Sequence, residues 1–525
     1  MYDIIIQNGI VIDGTGEKGL KADIAIKKDK IKKIGNLKNK KAHSIIDASN
    51  YYVSPGFIDL HNHSDSYWTL FTTPSLQSML RQGVTTIIGG NCGSSLAPLI
   101  RGRMISSIQK WANINEVNVN WTNVREFFNI LQSRKLGLNF GTLVGHSTLR
   151  RSIIGEEFRA LKSGEMKMME RMLEDALKEG ALGLSTGLAY SHAKVAPTEE
   201  IIKLAKIVKK YNCLYASHIR DEGDHLIPAI EEALIIAQKS GVSIEISHFK
   251  AMGENNWSKF SEAVKMIEKA KKQKIDVNFD IYPYITTGSV LYVLLPDWVA
   301  EGGKQKLLER LKKDDTRKKI IKEMQENKSY EYGNIIVAIS IDKTFIGKRI
   351  TEIAQTQGVS PEEAIINMLI ISRGRVITFF KTLNEDNLRL ALKHPLGFIG
   401  SDGSGYNVDY YREKRELVHP RCFGTFPRIL GKYVREEKLL TWEQAIHKMT
   451  GGPAKKIGFK DRGVLKTGNF ADLVVFDPNT VIDRATFENP FHYPEGIEYV
   501  LINGKIAVDK GKYTGQMTGR VLRRS

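Results

Sequence analysis

Eight short apolar runs, separated by stretches with helical amphipathic spacing, restrict this chain to a parallel sheet covered by helices. They are Tyr52 to His63, Val84 to Cys92, Leu138 to His146, Gly183 to Tyr190, Leu214 to His218, Ser243 to His248, Asp276 to Tyr282 and Gly397 to Asp402. Eight strands over about 400 residues suit a (β/α)8 TIM barrel with insertions. A doubly wound open sheet is the alternative, but no Gly-x-Gly-x-x-Gly follows the first of these eight runs.

The two ends of the chain read differently. Asp3 to Asn8, Gly9 to Asp13, Ala22 to Lys27 and Lys30 to Ile34 are short strands with turns at Gly14-Thr15-Gly16 and Lys28 to Lys30. Asp472 to Phe476, Ile497 to Ile502 and Ile506 to Val508 repeat that signature, with a turn at Asn503-Gly504. Neither end is long enough to bury a core alone. Residues 1–54 and 451–525 are therefore expected to meet in one small β-sandwich, with a barrel over 55–450 between them. An excursion at about 289–350 holds a charged helical stretch, Lys304 to Asn327, and a strand, Asn334 to Ser340. It is expected to cap the barrel mouth, where sites of this fold lie.

Polar residues gather at the C-terminal ends of the barrel strands. His61 and His63 are two apart, so they point to one side. The other ends are Gly89-Gly90-Asn91-Cys92-Gly93, Ser217-His218-Ile219-Arg220-Asp221, Ser247-His248-Phe249-Lys250 and Ser401-Asp402-Gly403. Each alone has a plain reading as a solvated loop, a satisfied core histidine or an inert thiol. In a barrel all five surround one cavity, and imidazole, thiolate and carboxylate are the ligands zinc prefers. A carboxylate there can take a proton from water and return it to a leaving nitrogen, so Asp402 is the candidate base.

Composition excludes several classes. The net charge of +18 raises nucleic acid as a partner, but the lysines are spread through mixed-charge helical segments and read as solvated faces. Cys92, Cys213 and Cys422 are too few and too scattered for a disulfide framework. Cys213 and Cys422 read as buried inert thiols. The chain starts directly as a strand, without a basic, apolar leader, and no apolar run approaches the roughly 20 residues that span a bilayer. A cytoplasmic protein acting on a small molecule is expected, with neither membrane nor nucleic acid as partner.

Pro55-Gly56-Phe57-Ile58-Asp59 followed by His61-Asn62-His63 resembles the opening motif of the amidohydrolase superfamily. Asn91-Cys92-Gly93, Leu184 to Tyr190, Ser217 to Arg220, Ser247 to Lys250 and Gly424-Thr425-Phe426-Pro427-Arg428 narrow the resemblance to the N-acyl-D-amino-acid deacylases, or D-aminoacylases. It runs over nearly the whole chain. It implies zinc-dependent hydrolysis of the acyl amide of an N-acyl-D-amino acid; D-selectivity is implied by the resemblance alone. It also implies one tightly held zinc on Cys92, His218 and His248, with a second, weaker position facing His61, His63 and Asp402. The carboxylated lysine usual after strand four has no counterpart, since Ser185 to Tyr190 contains no lysine. That sets the chain apart from hydantoinases and dihydroorotases. Arg421 matches the family arginine that grips the substrate carboxylate. Tyr190, Tyr282, Tyr284 and Ser289 match substrate-lining positions. Lys250, two residues beyond His248, should point into the same cavity.

One departure bears on substrate choice. Tyr406 to Arg415, within the segment 404–418, is longer and more basic than the family link before the substrate arginine. Two other readings stand beside this one: an enzyme opening a cyclic amide, and a non-catalytic barrel scaffold. A scaffold has no use for Cys92, His218, His248 and Asp402 together.

Overall fold

A computed structural model describes residues 1–100, 116–326, 331–409 and 414–524. Its centre is a ring of parallel strands: Phe57–Asp59 (β1), Val84–Gly89 (β2), Asn139–Thr142 continuing as Val144–Gly145 (β3), Gly183–Gly187 (β4), Leu214–His218 (β5), Ser243–Ile246 (β6), Val277–Ile281 (β7) and Gly397–Ile399 (β8). Neighbours in sequence are neighbours in space from β1 to β8. The ring closes through a parallel bridge between Asn62 and Gly403. There the Asp402 amide donates to the His61 carbonyl at 2.8 Å, and the His63 amide to the Gly403 carbonyl at 2.7 Å. Asp59 clasps the same seam, accepting from the Ser401 amide at 2.8 Å and the Asn62 side chain at 2.9 Å. The closure of the fold thus positions the two histidines and Asp402 together. The expected (β/α)8 barrel is the observed one.

Alternation along the strands builds the core. Val277, Phe279 and Ile281 of β7 face the helices, and Asn278 and Asp280 take the other side of the strand. The surrounding helices, among them Ser163–Lys178, Thr198–Lys210 and Leu226–Ser240, return apolar faces such as Met169, Leu173, Ile201 and Leu204. Each large side chain buried this way contributes about 1.5–3 kcal/mol.

The run Tyr52 to His63 is not one strand, as expected, but two. Tyr52–Pro55 pairs antiparallel with Leu473–Phe476, and β1 pairs parallel with β2. The pairing partner changes at Gly56, where a Cβ would lie 2.2 Å from the Thr85 side chain and only glycine fits. The histidines lie in the turn beyond β1.

Both chain ends do build two facing sheets. One is Lys30–Gly35, Asp23–Lys27, Tyr2–Gln7 and Ala42–Asp47. In the other, Tyr52–Pro55 lies between N-terminal and C-terminal strands. Ile4, Ile6, Ile24, Val53, Leu473 and Val475 fill the space between. The helix Gly451–Ile457 belongs with the barrel instead: Ala454 and Ile457 pack on Ile58, Leu60 and Phe398.

The excursion is longer than 289–350. Thr286–Val290, Ile377–Lys381 and Ile335–Ile339 form an antiparallel sheet, so it leaves after β7 and returns just before β8. Its helices, including Asp314–Glu326 and Pro361–Ile371, bury a separate core with Leu291, Leu307, Ile320 and Ile365. In the segment 404–418, Tyr406 and Val408 pack against Phe423 and Phe491; Tyr410, Tyr411, Arg412 and Glu413 lie outside the described residues. Among the described residues no helix is long and apolar enough to cross a membrane.

Lys448, on the helix Trp442–Met449, is buried and donates to the carbonyls of His394 and Gly397 at the start of β8. Burial pushes its pKa down to about 8 from 10.5. Between those values the unfolded chain binds more protons than the folded one, so stability rises with pH. The expected gain from this group between pH 8 and 10.5 is up to about 3 kcal/mol. Urea unfolding of Lys448→Met across that range should lack this part of the slope; an unchanged slope contradicts the assignment.

Candidate metal centre and active site

A cavity of about 680 Å³ opens between the C-terminal strand ends and the excursion. His63, Cys92, Tyr190, His218, His248, Lys250, Ser289, Asp402 and Arg421 line it. His61 lies behind them, fully buried.

Backbone conformation aims the candidate ligands. Cys92, His248 and Asp402 have φ of 51°, 36° and 48°, the left-handed region that costs a non-glycine residue energy. Each sits just past a strand end, where that turn swings the side chain over the barrel mouth. The Cys92 loop closes tightly because Gly90 has φ of 73° and no Cβ; one would lie 2.1 Å from the Leu143 carbonyl. Ser185 of β4, where no lysine stands, ties this loop by donating to the Gly90 carbonyl and accepting from the Gly93 amide at 3.0 Å.

The Cys92 Sγ is 3.4 Å from Nε2 of both His61 and His248. Asp280 holds the other side of His61, with Oδ2 3.2 Å from Nδ1, and its Oδ1 accepts from the His248 amide at 2.9 Å. A proton kept on Nδ1 by Asp280 leaves His61 Nε2 free as a ligand. His248 Nδ1 is 3.0 Å from Glu222 Oε1 and 2.8 Å from Lys250 Nζ. The His218 ring lies 4.4 Å from that of His248, with Nε2 3.8 Å from Glu222 Oε2. Asp402 faces His63 Nε2 at 3.0 Å and His61 Nε2 at 3.5 Å through Oδ1, and Arg421 at 2.8 Å through Oδ2.

These groups fit a divalent cation. Burial pushes the Cys92 thiol up, but His61, His248 and His218 outweigh it and hold the thiol well below its usual range. Burial likewise opposes ionisation of Asp402, and Arg421, His248, His63 and His61 carry it well below the carboxylate range. For His63, burial pushes down, while Asp402 and Cys92 pull its pKa up to about 9. Two anions thus draw protons onto imidazoles that a cation would displace. Ligand atoms of His61, Cys92 and His248 lie within 4.8 Å of one another, as do those of His61, His63 and Asp402, and of His218, Glu222 and His248.

The geometry differs in detail from the two separate triads of the sequence reading. His61 falls in two of these groups, because Cys92 sits between His61 and His248. Tyr190 lies against His218, rings 4.9 Å apart, and Tyr282 lies under the Arg421 guanidinium at 4.8 Å. Neither Tyr282 nor Tyr284 is among the residues that line the cavity; the Tyr284 amide bonds the Tyr282 carbonyl at 2.9 Å, turning the chain at Pro283, and its hydroxyl faces Asp483 at 3.4 Å. Glu222 and Asp280 were not singled out from sequence. Asp280 was legible as an acid in register with the inward side of β7, and Glu222 as the acid four residues past His218.

Residues 44–508 match the amidohydrolase family. A D-aminoacylase of Alcaligenes xylosoxydans xylosoxydans is 34% identical over 524 residues, covering 100% of this chain and 98% of that protein. An N-acyl-D-glutamate deacylase from Bordetella bronchiseptica, solved with zinc and a phosphonate mimic of the tetrahedral intermediate, is similar with a TM-score of 0.85 and 32% identity over 100% of both chains. A D-aminoacylase structure with a TM-score of 0.85 and 33% identity, again over 100% of both chains, concerns a binuclear metal centre with one-metal activation and second-metal attenuation.

Proposed function

Because this chain belongs to the amidohydrolase family, we propose that it is a zinc-dependent deacylase, hydrolysing the acyl amide bond of N-acyl-D-amino acids to a carboxylate and a D-amino acid. The observation that carries the reading is the convergence of Cys92, His218, His248, Asp402 and Arg421 on one cavity, with His61 buried directly behind Cys92 and His248. Cys92, His218 and His248, with His61 beside them, would hold the principal zinc; His61, His63 and Asp402 would hold a second, weaker one. Zinc there supplies a Lewis acid that polarises the amide carbonyl and acidifies water.

The chain's own residues do the rest. Asp402, ionised and reached by Arg421 and His63, accepts a proton from the attacking water and returns it to the leaving nitrogen. Arg421 retains donors for a substrate carboxylate: Nε has no hydrogen-bond partner among the described residues, and NH1 meets Asp402 as a misaligned ion pair. Lys250 stands at the same cavity. Tyr190 and Ser289 line the cavity where the acyl and carboxylate ends would lie, Tyr282 backs the Arg421 guanidinium, and the excursion, through Leu294, Met324 and Phe380, screens the site from water. Three free, buried cysteines suit a cytoplasmic setting.

The test is a panel of N-acetyl-D- and N-acetyl-L-amino acids, with a hydantoin and dihydroorotate, assayed zinc-loaded and after chelation. Release of amino acid from the D series alone, lost on chelation, is expected. Ring opening without deacylation would overturn the reading.

Arg421→Ala should lower kcat/KM for carboxylate substrates by about 10–150-fold, the equivalent of one charged hydrogen bond. An N-acyl amine lacking the carboxylate should be affected little, and Arg421→Lys should recover only part, because an ammonium cannot form the fork. Equal losses on both substrates would mean that Arg421 serves Asp402 instead.

A further inference from the structure

Glu222 lies in the loop after β5, four residues beyond His218, and is largely buried. Its backbone carbonyl accepts from the Met252 amide at 2.7 Å, joining the loops after β5 and β6. Its Oε1 touches two groups with different tasks: Lys250 Nζ at 2.5 Å and His248 Nδ1 at 3.0 Å. His248 turns Nε2 toward Cys92. A metal at that Nε2 requires the ring proton on Nδ1, and Glu222 Oε1 stands where it can accept that proton's hydrogen bond. Lys250 Nζ, itself 2.8 Å from Nδ1, cannot donate to a protonated Nδ1. Glu222 is then the partner that keeps the ammonium in place at the cavity wall.

We propose that Glu222 is a positioning residue shared by the metal and the substrate carboxylate: one carboxylate oxygen orients His248 for zinc and Lys250 for the substrate. The inference rests on the deacylase reading for its substrate half only. Asp280 plays the matching part for His61, but it touches no substrate group, so the coupling of two tasks is particular to Glu222.

The experiment uses the full chain freed of metal. Zinc affinity is measured by competition with a chromophoric chelator for wild type, Glu222→Ala, Glu222→Gln and Lys250→Ala. Loss of an outer hydrogen-bond partner typically weakens a metal site about 10–100-fold. Glu222→Ala should fall in that range, Glu222→Gln should weaken zinc less because the amide oxygen can still accept, and Lys250→Ala should not weaken it. At saturating zinc, Glu222→Ala should raise KM for the N-acyl-D-amino acid more than for an N-acyl amine without the carboxylate. Unchanged zinc affinity in both Glu222 variants overturns the proposal. So does a drop in the number of zinc ions bound, which would make Glu222 a ligand. If Glu222→Ala does not fold, Glu222→Gln carries the test. If the wild type deacylates nothing, the affinity arm still decides the metal half.

Discussion

Asp402→Asn should cut kcat by at least about 10²-fold, the lower range for a lost acid–base group, while zinc stays on the principal position. The substitution keeps size and one acceptor oxygen but removes the lone-pair basicity that proton transfer needs. The surroundings explain why no neighbour substitutes. Arg421 at 2.8 Å has no basic lone pair with which to accept a proton. Glu222 faces Lys250 and His248 rather than the Asp402 side of the cavity. Metal analysis beside steady-state kinetics checks both halves. Near-normal turnover with zinc retained would show that another group is the base; loss of all zinc would make Asp402 chiefly a ligand.

Cys92→Ala should lose most of the bound zinc and, with it, most turnover. Its sulfur lies 3.4 Å from two imidazole nitrogens, and those imidazoles stabilise the thiolate. Removing it subtracts the softest donor and one negative charge from the site. The fold should survive, because the loop is shaped by Gly90, Gly93 and Ser185 rather than by the thiol. Circular dichroism with metal analysis separates the two effects. Full zinc occupancy in Cys92→Ala would remove the cysteine from the ligand set.

The sequence made the barrel legible because eight apolar runs alternate with amphipathic helical stretches, and on β7 Val277, Phe279 and Ile281 face those helices. It made the candidate ligands legible because His61, Cys92, His218, His248 and Asp402 all fall at strand ends. What it hid depended on distant pairing. Tyr52–Pro55 looks continuous with β1 until Leu473–Phe476 pairs with it and Thr85 crowds Gly56. The excursion closes on Ile377–Lys381, whose partner is Thr286–Val290; neither strand alone announces that it leaves the barrel. Tyr284 follows Tyr282 by two, and the turn at Pro283 carries its hydroxyl to Asp483. Glu222 escaped notice because its meaning lies in His248 and Lys250, which belong to the next strand end.

The most direct measurement of the account is a zinc titration of the metal-free chain, following deacylation of paired N-acyl-D- and N-acyl-L-amino acids. The expected result is no turnover before zinc is added, a rise for the D enantiomer that saturates near one zinc per chain, and little or none for the L enantiomer. Full activity in the chelated protein, or equal hydrolysis of both enantiomers, would contradict it.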